Sequence, residues 1–194
     1  MFKFAYWIVY IVLWPIYRFK FIGRENIVKG PALLCGNHTA NIDSVLVILA
    51  LGDVMQYAAM AKKELFKIPL VGWVLKLFGA YPIARGGSDL AAIKFSLKAL
   101  KEGKKLVVFP EGTRVKPGMV SEPKSGASML AIKAGVPIIP LYITPGRKAF
   151  RGCTVTFGEP MYPQVEGRAT SEDYQRVTCE LMDKVWALGG GKRA

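Results

Sequence analysis

The sequence is poor in histidine and cysteine, which limits the metal and redox sites that it can form. Among its 194 residues there are one histidine and three cysteines, and no two cysteines form a CxxC pair. A site that requires two imidazoles is therefore excluded, and neither a zinc centre nor a disulfide framework is indicated. We expect Cys35, Cys153 and Cys179 to be buried thiols in a reducing compartment. We also expect no metal ion and no bound cofactor.

A long apolar run is missing as well, so the sequence predicts no segment that crosses a membrane. The uncharged stretch 4–17 has 14 residues; as a helix it spans about 21 Å at ~1.5 Å per residue, whereas a bilayer core is about 30 Å thick. Its tryptophans and tyrosines, with Lys3 before it and Arg18 and Lys20 after it, favour a helix lying in one leaflet. The alternatives are a buried core helix and a cleaved signal peptide, although no small-residue cleavage site follows.

Acidic residues are few compared with basic ones. Lysine and arginine total 27 and aspartate and glutamate 14, so the formal net charge is +13. This excess suits an anionic partner, which could be nucleic acid, an anionic membrane or a phosphorylated substrate, and the alternative is a merely basic surface. Nucleic acid is disfavoured, because the aromatic residues concentrate near the N-terminus instead of alternating with basic ones. Hydrophobic residues make up 52%, which provides a core and excludes intrinsic disorder.

Strand-like and helix-like segments alternate between residues 19 and 188, which predicts an α/β fold with a largely parallel central sheet flanked by helices. The expected strands are 32–35, 55–60, 81–84, 106–109, 136–143 and 154–157. The expected helices are 44–51, 64–78 with an interruption near Pro69, 88–102, 125–134 and 171–188. Pro137 and Pro140 suggest that 136–143 is an edge or irregular strand. We therefore divide the chain into a membrane-interface helix (1–18), one domain (19–188) and a flexible basic tail (189–194).

The single histidine lies directly after the first expected buried strand, in the loop GNHTANID. Asp43 follows His38 by five positions, at the start of a helix. A turn of the loop brings the carboxylate to one imidazole nitrogen, where it fixes the tautomer and raises the basicity of the other nitrogen. This arrangement is a general-base pair. The alternative is that Asp43 is a plain helix N-cap and that His38 is a turn residue.

A second loop whose residues could bind a ligand, PEGTR, follows the strand 106–109. Gly112 permits a tight turn, Arg114 can grip a phosphate with two hydrogen bonds, and Glu111 can orient that arginine. Further cations follow other segments: Arg85, Lys62 and Lys124. The alternative for each is a solvated charge. The sequence has no nucleophile motif and no P-loop, so an enzyme of this sequence would work without a covalent intermediate.

The blocks NHTANID, GAYPIAR, FPEGTR and VPIIPLYI resemble, in order and spacing, the four blocks of the glycerolipid acyltransferases. The resemblance covers roughly residues 19–143. It implies transfer of a fatty acyl group from acyl-CoA or acyl-acyl-carrier protein to the sn-2 hydroxyl of lysophosphatidate, which gives phosphatidate in phospholipid biosynthesis. The alternatives are another lysolipid or glycerol 3-phosphate as the acceptor, or a non-catalytic basic module that binds a membrane.

The resemblance also assigns roles to residues. His38 and Asp43 become the catalytic pair. The glycerol phosphate of the acceptor is assigned to six residues: Lys62, Arg85, Glu111, Gly112, Thr113 and Arg114. The implied partners are lysophosphatidate, the acyl donor, acyl carrier protein as one form of that donor, and an anionic membrane, with no nucleic acid. The implied location is the cytoplasmic face of the cell membrane, as a peripheral or monotopic protein.

Overall fold

The computed structural model describes residues 2–52, 57–77, 79–83, 89–115, 121–146 and 150–191. Within them, one seven-stranded sheet has the order β1-β7-β6-β2-β5-β3-β4. Its strands are β1 (Phe19–Ile22), β2 (Ala32–Gly36), β3 (Tyr57–Lys62), β4 (Ala80–Ile83), β5 (Lys105–Val108), β6 (Ile138–Ile143) and β7 (Cys153–Phe157). All neighbouring strands are parallel except β6 and β7. The expected α/β fold with a largely parallel sheet is confirmed.

Helices cover both faces of this sheet. They are α1 (Phe2–Tyr17), α2 (Asp43–Leu51), α3 (Pro69–Leu77), α4 (Asp89–Lys101), α5 (Gly126–Ala134) and α6 (Ser171–Leu188), with short 3₁₀ turns at Arg24–Asn26 and Lys63–Lys67. Successive side chains of a strand point to opposite faces. In β2, Leu33 and Cys35 accordingly pack with α4, α5 and α6, whereas Ala32 and Leu34 pack with α1 and α2.

The helix ends follow the local signals in the sequence. Thr170 and Asp173 form a capping box at the start of α6, and Gly135 ends α5 with a left-handed φ of 63°. Pro69 begins α3 instead of merely interrupting a longer helix, because proline fits the first position, where its missing N–H costs nothing. The ends of other expected elements, at Met55, Phe78, Ala84 and Ser88, lie outside the described residues.

The sequence predicts that the proline-containing strand is either an edge strand or an irregular one, and the edge position is wrong. This strand, β6, lies inside the sheet between β2 and β7. The carbonyl of Pro140 accepts a hydrogen bond from the Gly158 N–H (2.8 Å) on the β7 side, one residue beyond the Leu141–Phe157 pair. The backbone N–H that Pro140 lacks would therefore lie just past the end of the β6–β7 ladder. For this reason an interior strand tolerates the proline.

The N-terminal run is helical, as expected, and it is followed by a strand that the sequence analysis missed. The chain reverses at Arg18, which has a φ of 41°, and β1 then pairs with β7. One side of α1 packs on the sheet through Tyr6, Val9, Tyr10, Leu13 and Tyr17. Among the described residues, no helix has the length and apolarity needed to cross a membrane.

The three cysteines are free thiols. Cys35 and Cys153 are buried as expected, whereas Cys179 is only half-buried. Burial raises the pKa of the Cys35 thiol far above its usual range, so this group stays protonated and unreactive.

Candidate active site

The candidate site lies where β2 and β5 end next to each other. These strands are parallel neighbours, with Cys35 opposite Val108, so the loop that carries His38 and the loop that begins at Phe109 leave the same edge of the sheet. The carboxyl ends of parallel strands are where α/β sheets bind their ligands. The sheet thus joins two of the blocks singled out in the sequence.

The side chains of His38 and Asp43 are in contact. The imidazole Nδ1 lies 3.0 Å from Asp43 Oδ2, and the Asp43 side chain is fully buried, whereas that of His38 is 19% exposed. An ionised carboxylate only accepts hydrogen bonds, so Nδ1–H donates and Nε2 keeps its lone pair. No hydrogen bond in the described part of the chain engages Nε2. The geometry is that of a base oriented by a carboxylate.

The histidine loop wraps around the Asp43 carboxylate. Oδ2 also accepts hydrogen bonds from the backbone N–H groups of Thr39 (2.7 Å) and Ala40 (2.8 Å). The N-cap of α2 is Ile42 and makes no side-chain cap hydrogen bond, so Asp43 is the first helical residue and not the plain N-cap considered above. The three donors fix the position of the carboxylate and, through it, the plane of the imidazole.

Asn37 anchors this loop to the end of β6. Its side-chain N–H donates to the Ile143 carbonyl (2.8 Å), and its side-chain oxygen accepts from the Ile143 N–H (2.8 Å). The residue is completely buried, so its amide replaces a pair of sheet hydrogen bonds just past the last β2–β6 partners, Gly36 and Leu141. No motif in the sequence assigns Asn37 a role; its only signal is an amide at the end of a buried strand.

The loop after β5 holds His38 at three points. The Glu111 carboxylate accepts a hydrogen bond from the His38 N–H (2.9 Å), and the Val115 N–H donates to the His38 carbonyl (2.8 Å). The Phe109 ring lies against the imidazole, with 4.2 Å between ring centroids and 12° between planes. Phe109 belongs to the block FPEGTR, but the resemblance assigns it no role.

Glu111 is buried, with 4% of its surface exposed. Burial raises the pKa of its carboxyl, and the hydrogen bond from the His38 N–H opposes part of that rise. The resemblance assigned this residue to the acceptor's phosphate. The structure places its carboxylate on the His38 backbone, which gives it a positioning role, while phosphate binding stays a prediction.

The remaining residues of the block present a basic turn. Gly112 has a φ of 66°, and its N–H closes the turn on the Phe109 carbonyl (3.0 Å). A Cβ on Gly112 would come within 3.2 Å of the Lys124 side chain, so the ammonium stem of Lys124 runs along this loop. The side chains of Thr113 and Arg114 are exposed beside it.

Two predicted phosphate ligands cannot be placed. Arg85 lies outside the described residues, and Lys62 ends β3, with only its backbone described. Their roles in binding the acceptor's phosphate, which require Arg85 and Arg114 to lie close together, stay predictions. Among the described residues, no group of three or more histidine, cysteine, aspartate or glutamate side chains is placed to hold a metal ion.

The chain is similar to known proteins. A protein-family model described as Acyltransferase matches residues 18–144. A chloroplastic 1-acyl-sn-glycerol-3-phosphate acyltransferase of Brassica napus is 33% identical over 135 residues, which cover 68% of this chain and 38% of that protein. A 1-acyl-sn-glycerol-3-phosphate acyltransferase of Pseudomonas aeruginosa is 28% identical over 187 residues, which cover 90% of this chain and 71% of the relative.

A solved structure is also similar. It is the crystal structure of the 1-acyl-sn-glycerophosphate acyltransferase PlsC from Thermotoga maritima, with a TM-score of 0.72 and 27% identity, over 97% of this chain and 77% of that one. The chain spans under two fifths of the length of the plant relatives, 38% of the Brassica napus protein and 37% of an Arabidopsis thaliana one.

Proposed function

Because the chain belongs to the Acyltransferase family, we propose that it transfers a fatty acyl group from an acyl thioester to the sn-2 hydroxyl of lysophosphatidate, giving phosphatidate. The observation that carries this proposal is the His38–Asp43 pair, with Nδ1 and Oδ2 3.0 Å apart, beside a loop that bears Arg114. A base next to a phosphate-binding cation suits an acceptor that has a hydroxyl close to its phosphate. The names of the relatives point to the same acceptor.

In the proposed reaction, His38 Nε2 removes the proton of the acceptor hydroxyl as its oxygen attacks the thioester carbonyl. A carbon–oxygen bond forms, the tetrahedral intermediate collapses, the carbon–sulfur bond breaks, and the thiolate takes the proton back from the imidazolium. Asp43 stabilises the imidazolium without becoming protonated itself. General-base catalysis of this kind contributes about 10²–10⁴-fold. Because a thiolate whose thiol has a pKa of ~8.5 leaves readily, the departing group needs little assistance.

The acceptor's phosphate would lie against the turn formed by residues 111–114. The exposed guanidinium of Arg114 can make two hydrogen bonds to a phosphate, and the stem of Lys124 runs along the same turn. Arg85 and Lys62 are further proposed phosphate ligands. Because residues 109–115 also contact the His38 ring and backbone, a phosphate held there places the reacting hydroxyl near Nε2, and such proximity can contribute ~7–11 kcal/mol.

We further propose that the protein works at an anionic membrane surface, on the cytoplasmic face of the cell membrane. The outer side of α1 exposes large apolar side chains that we call the lipid-facing surface: Phe4, Trp7, Ile8, Ile11, Val12 and Trp14. Trp73 of the adjacent α3 is also 58% exposed. Lys3 lies in the first turn of α1, and Arg18 and Lys20 follow its end, so cations would meet the headgroups while the apolar side chains enter the leaflet.

The surface continues at the C-terminal end of α1. There the N–H of Phe150 donates to the Ile16 carbonyl (2.6 Å), and the Phe150 side chain is 64% exposed. A lipid acceptor and a lipid product both require access from the bilayer. This supports a peripheral enzyme, with α1 partly in the protein core and partly in one leaflet.

An acceptor panel tests the proposal. Purified protein is given acyl-CoA or acyl-acyl-carrier protein with lysophosphatidate, a zwitterionic lysolipid or glycerol 3-phosphate, and free thiol and product lipid are measured. We expect phosphatidate from lysophosphatidate at the highest rate, and Arg114→Lys should raise KM for lysophosphatidate far more than KM for the donor. A higher rate with another acceptor would overturn the assigned substrate, and lipid binding without thiol release would show a non-catalytic membrane module.

A further inference from the structure

The imidazole of His38 has two contacts, one with the Asp43 carboxylate and one with the uncharged Phe109 ring. Asp43 occupies Nδ1, and the Phe109 ring covers one face, with 4.2 Å between centroids and nearly parallel planes. Phe109 directly follows β5, and Val108 at the end of β5 pairs with Cys35 in β2. Since His38 comes three residues after Cys35, the strand pairing itself brings the two rings together.

A parallel aromatic ring on an imidazole acts in two ways. It restricts rotation of the imidazole, so that Nδ1 stays on Asp43 and Nε2 keeps one orientation, as the proposed reaction requires. It also presents the negative face of its π system to the imidazole, and that face attracts a protonated ring more strongly than a neutral one. Phe109 should therefore favour the protonated imidazole that forms during proton removal.

The charged groups around His38 are held in place by contacts that do not involve the Phe109 side chain. Asp43 contacts Nδ1 from the start of α2, and Glu111 contacts the His38 N–H from the loop after β5. Arg114 lies in the adjacent turn, and the Lys124 side chain runs along that turn. Replacing Phe109 by leucine keeps these charges and an apolar cover, but it removes the π face.

We propose that Phe109 is a positioning residue for His38, whose stacked ring fixes the plane of the imidazole and stabilises its protonated form. The kinetic consequence rests on the proposed function, but the contact and its effect on protonation belong to the resting protein. They can be measured without any substrate. The role of Phe109 and the proposed acyl transfer can therefore be tested separately.

The test uses the fact that His38 is the only histidine of the chain, so its ring signals in an NMR titration need no assignment. In Phe109→Leu we expect the His38 ring protons to move downfield, because the ring current is lost. We also expect the titration midpoint to fall by about 0.4–0.7 pH units, which corresponds to a cation–π attraction of about 0.5–1 kcal/mol. Phe109→Tyr keeps an aromatic ring and should keep both the shifts and the midpoint.

A matched control is Phe95→Leu. Phe95 stacks on Tyr81 with 4.1 Å between centroids and 17° between planes, so this change removes an aromatic stack that does not involve His38. Its His38 signals should match those of the unchanged protein. If Phe109→Leu fails to fold, Phe109→Met, which is also apolar and lacks a π face, provides the same comparison. An unchanged midpoint and unchanged ring-proton shifts in a folded Phe109→Leu or Phe109→Met protein would overturn the proposal.

The kinetic arm separates positioning from a merely structural role. Phe109→Leu should lower kcat with little change in KM for the acceptor, and the pH profile of kcat/KM should move to lower pH by the same shift as the NMR midpoint. Phe109→Tyr should restore both. A lower kcat with an unmoved profile would contradict the assigned effect on protonation. Absence of acyl transfer in every variant would contradict the proposed function and leave the NMR result to decide the role of Phe109.

Discussion

The carboxylate of Glu111 accepts a hydrogen bond from the backbone N–H of His38, 73 residues earlier in the chain, at 2.9 Å. The same loop returns a hydrogen bond from the Val115 N–H to the His38 carbonyl. Both peptide groups of the histidine are thus fixed by the segment that carries Arg114. Binding of a phosphate to this segment and the alignment of the base are therefore linked.

Glu111→Gln should change how stability depends on pH. Burial raises the pKa of Glu111 in the folded protein above its value of 4.5 in a model compound. This carboxyl thus contributes stability that is present below that value and is lost as the pH rises through the folded pKa. Glutamine does not titrate, so the unfolding free energy of Glu111→Gln, relative to the unchanged protein, should increase as the pH rises from about 4 to 7. Urea unfolding at several pH values measures it, and a constant difference would contradict the assigned shift.

Asn37→Ala should destabilise the protein and disturb the histidine loop. The change leaves the buried N–H and carbonyl of Ile143 without their partners, at a cost of roughly 2–6 kcal/mol, since each unsatisfied buried group costs about 1–3 kcal/mol. Chemical denaturation measures this loss. Asn41→Ala is the matched control, because Asn41 is an exposed asparagine in the same loop. Equal stabilities for the two variants would show that the Asn37 contacts contribute nothing.

Asp43→Asn should lower kcat by about 10³–10⁴-fold while the acceptor KM changes little. An amide can donate to Nδ1, which stabilises the tautomer that lacks a lone pair on Nε2, so the geometry is kept but the base is lost. Steady-state kinetics measure the loss, and the His38 ring signals report the altered tautomer. If a folded Asp43→Asn protein kept its kcat, the carboxylate would not orient the base.

The lipid-facing surface predicts vesicle binding that depends on its apolar side chains. Each large apolar side chain contributes about 1.5–3 kcal/mol when it is buried. The double variant Trp7→Ser with Ile11→Ser should therefore weaken binding to anionic vesicles by about a hundredfold or more, at tenfold per 1.4 kcal/mol. Both side chains point away from the core and are more than half exposed, at 55% and 66%, so the fold should survive. A flotation assay measures the partition.

Tyr162→Ser is the control for that experiment. Tyr162 is 62% exposed but lies in the segment before α6, and it does not belong to the lipid-facing surface. Its loss should leave vesicle binding unchanged. If the double variant floated as fully as the unchanged protein, lipid contact would have to lie elsewhere.

The His38–Asp43 contact could be predicted from the sequence because it is local. Five positions separate the residues, and a strand end and a helix start hold the loop between them. The contacts of Asn37 and Glu111 could not be predicted, because they depend on the register of β2 against β6 and β5, over separations of 106 and 73 residues. No local pattern encodes such a register.

The wrong prediction of an edge position for β6 has a similar cause. Prolines usually indicate an edge because an interior strand needs every N–H. In β6, however, Pro140 lies opposite Gly158, just past the last β6–β7 pair. Where a ladder ends is a property of the assembled sheet. The short strand β1 was missed because its apolar residues continue those of α1, with only Arg18 between them.

The central claim is that His38 is the base of an acyl transfer to lysophosphatidate. The most direct test compares the unchanged protein with His38→Ala, both shown to be folded by circular dichroism, for thioester cleavage coupled to phosphatidate formation. We predict one free thiol per phosphatidate for the unchanged protein, and a loss of at least about 10²-fold in kcat for His38→Ala. A folded His38→Ala protein that forms phosphatidate at the rate of the unchanged protein would contradict the account.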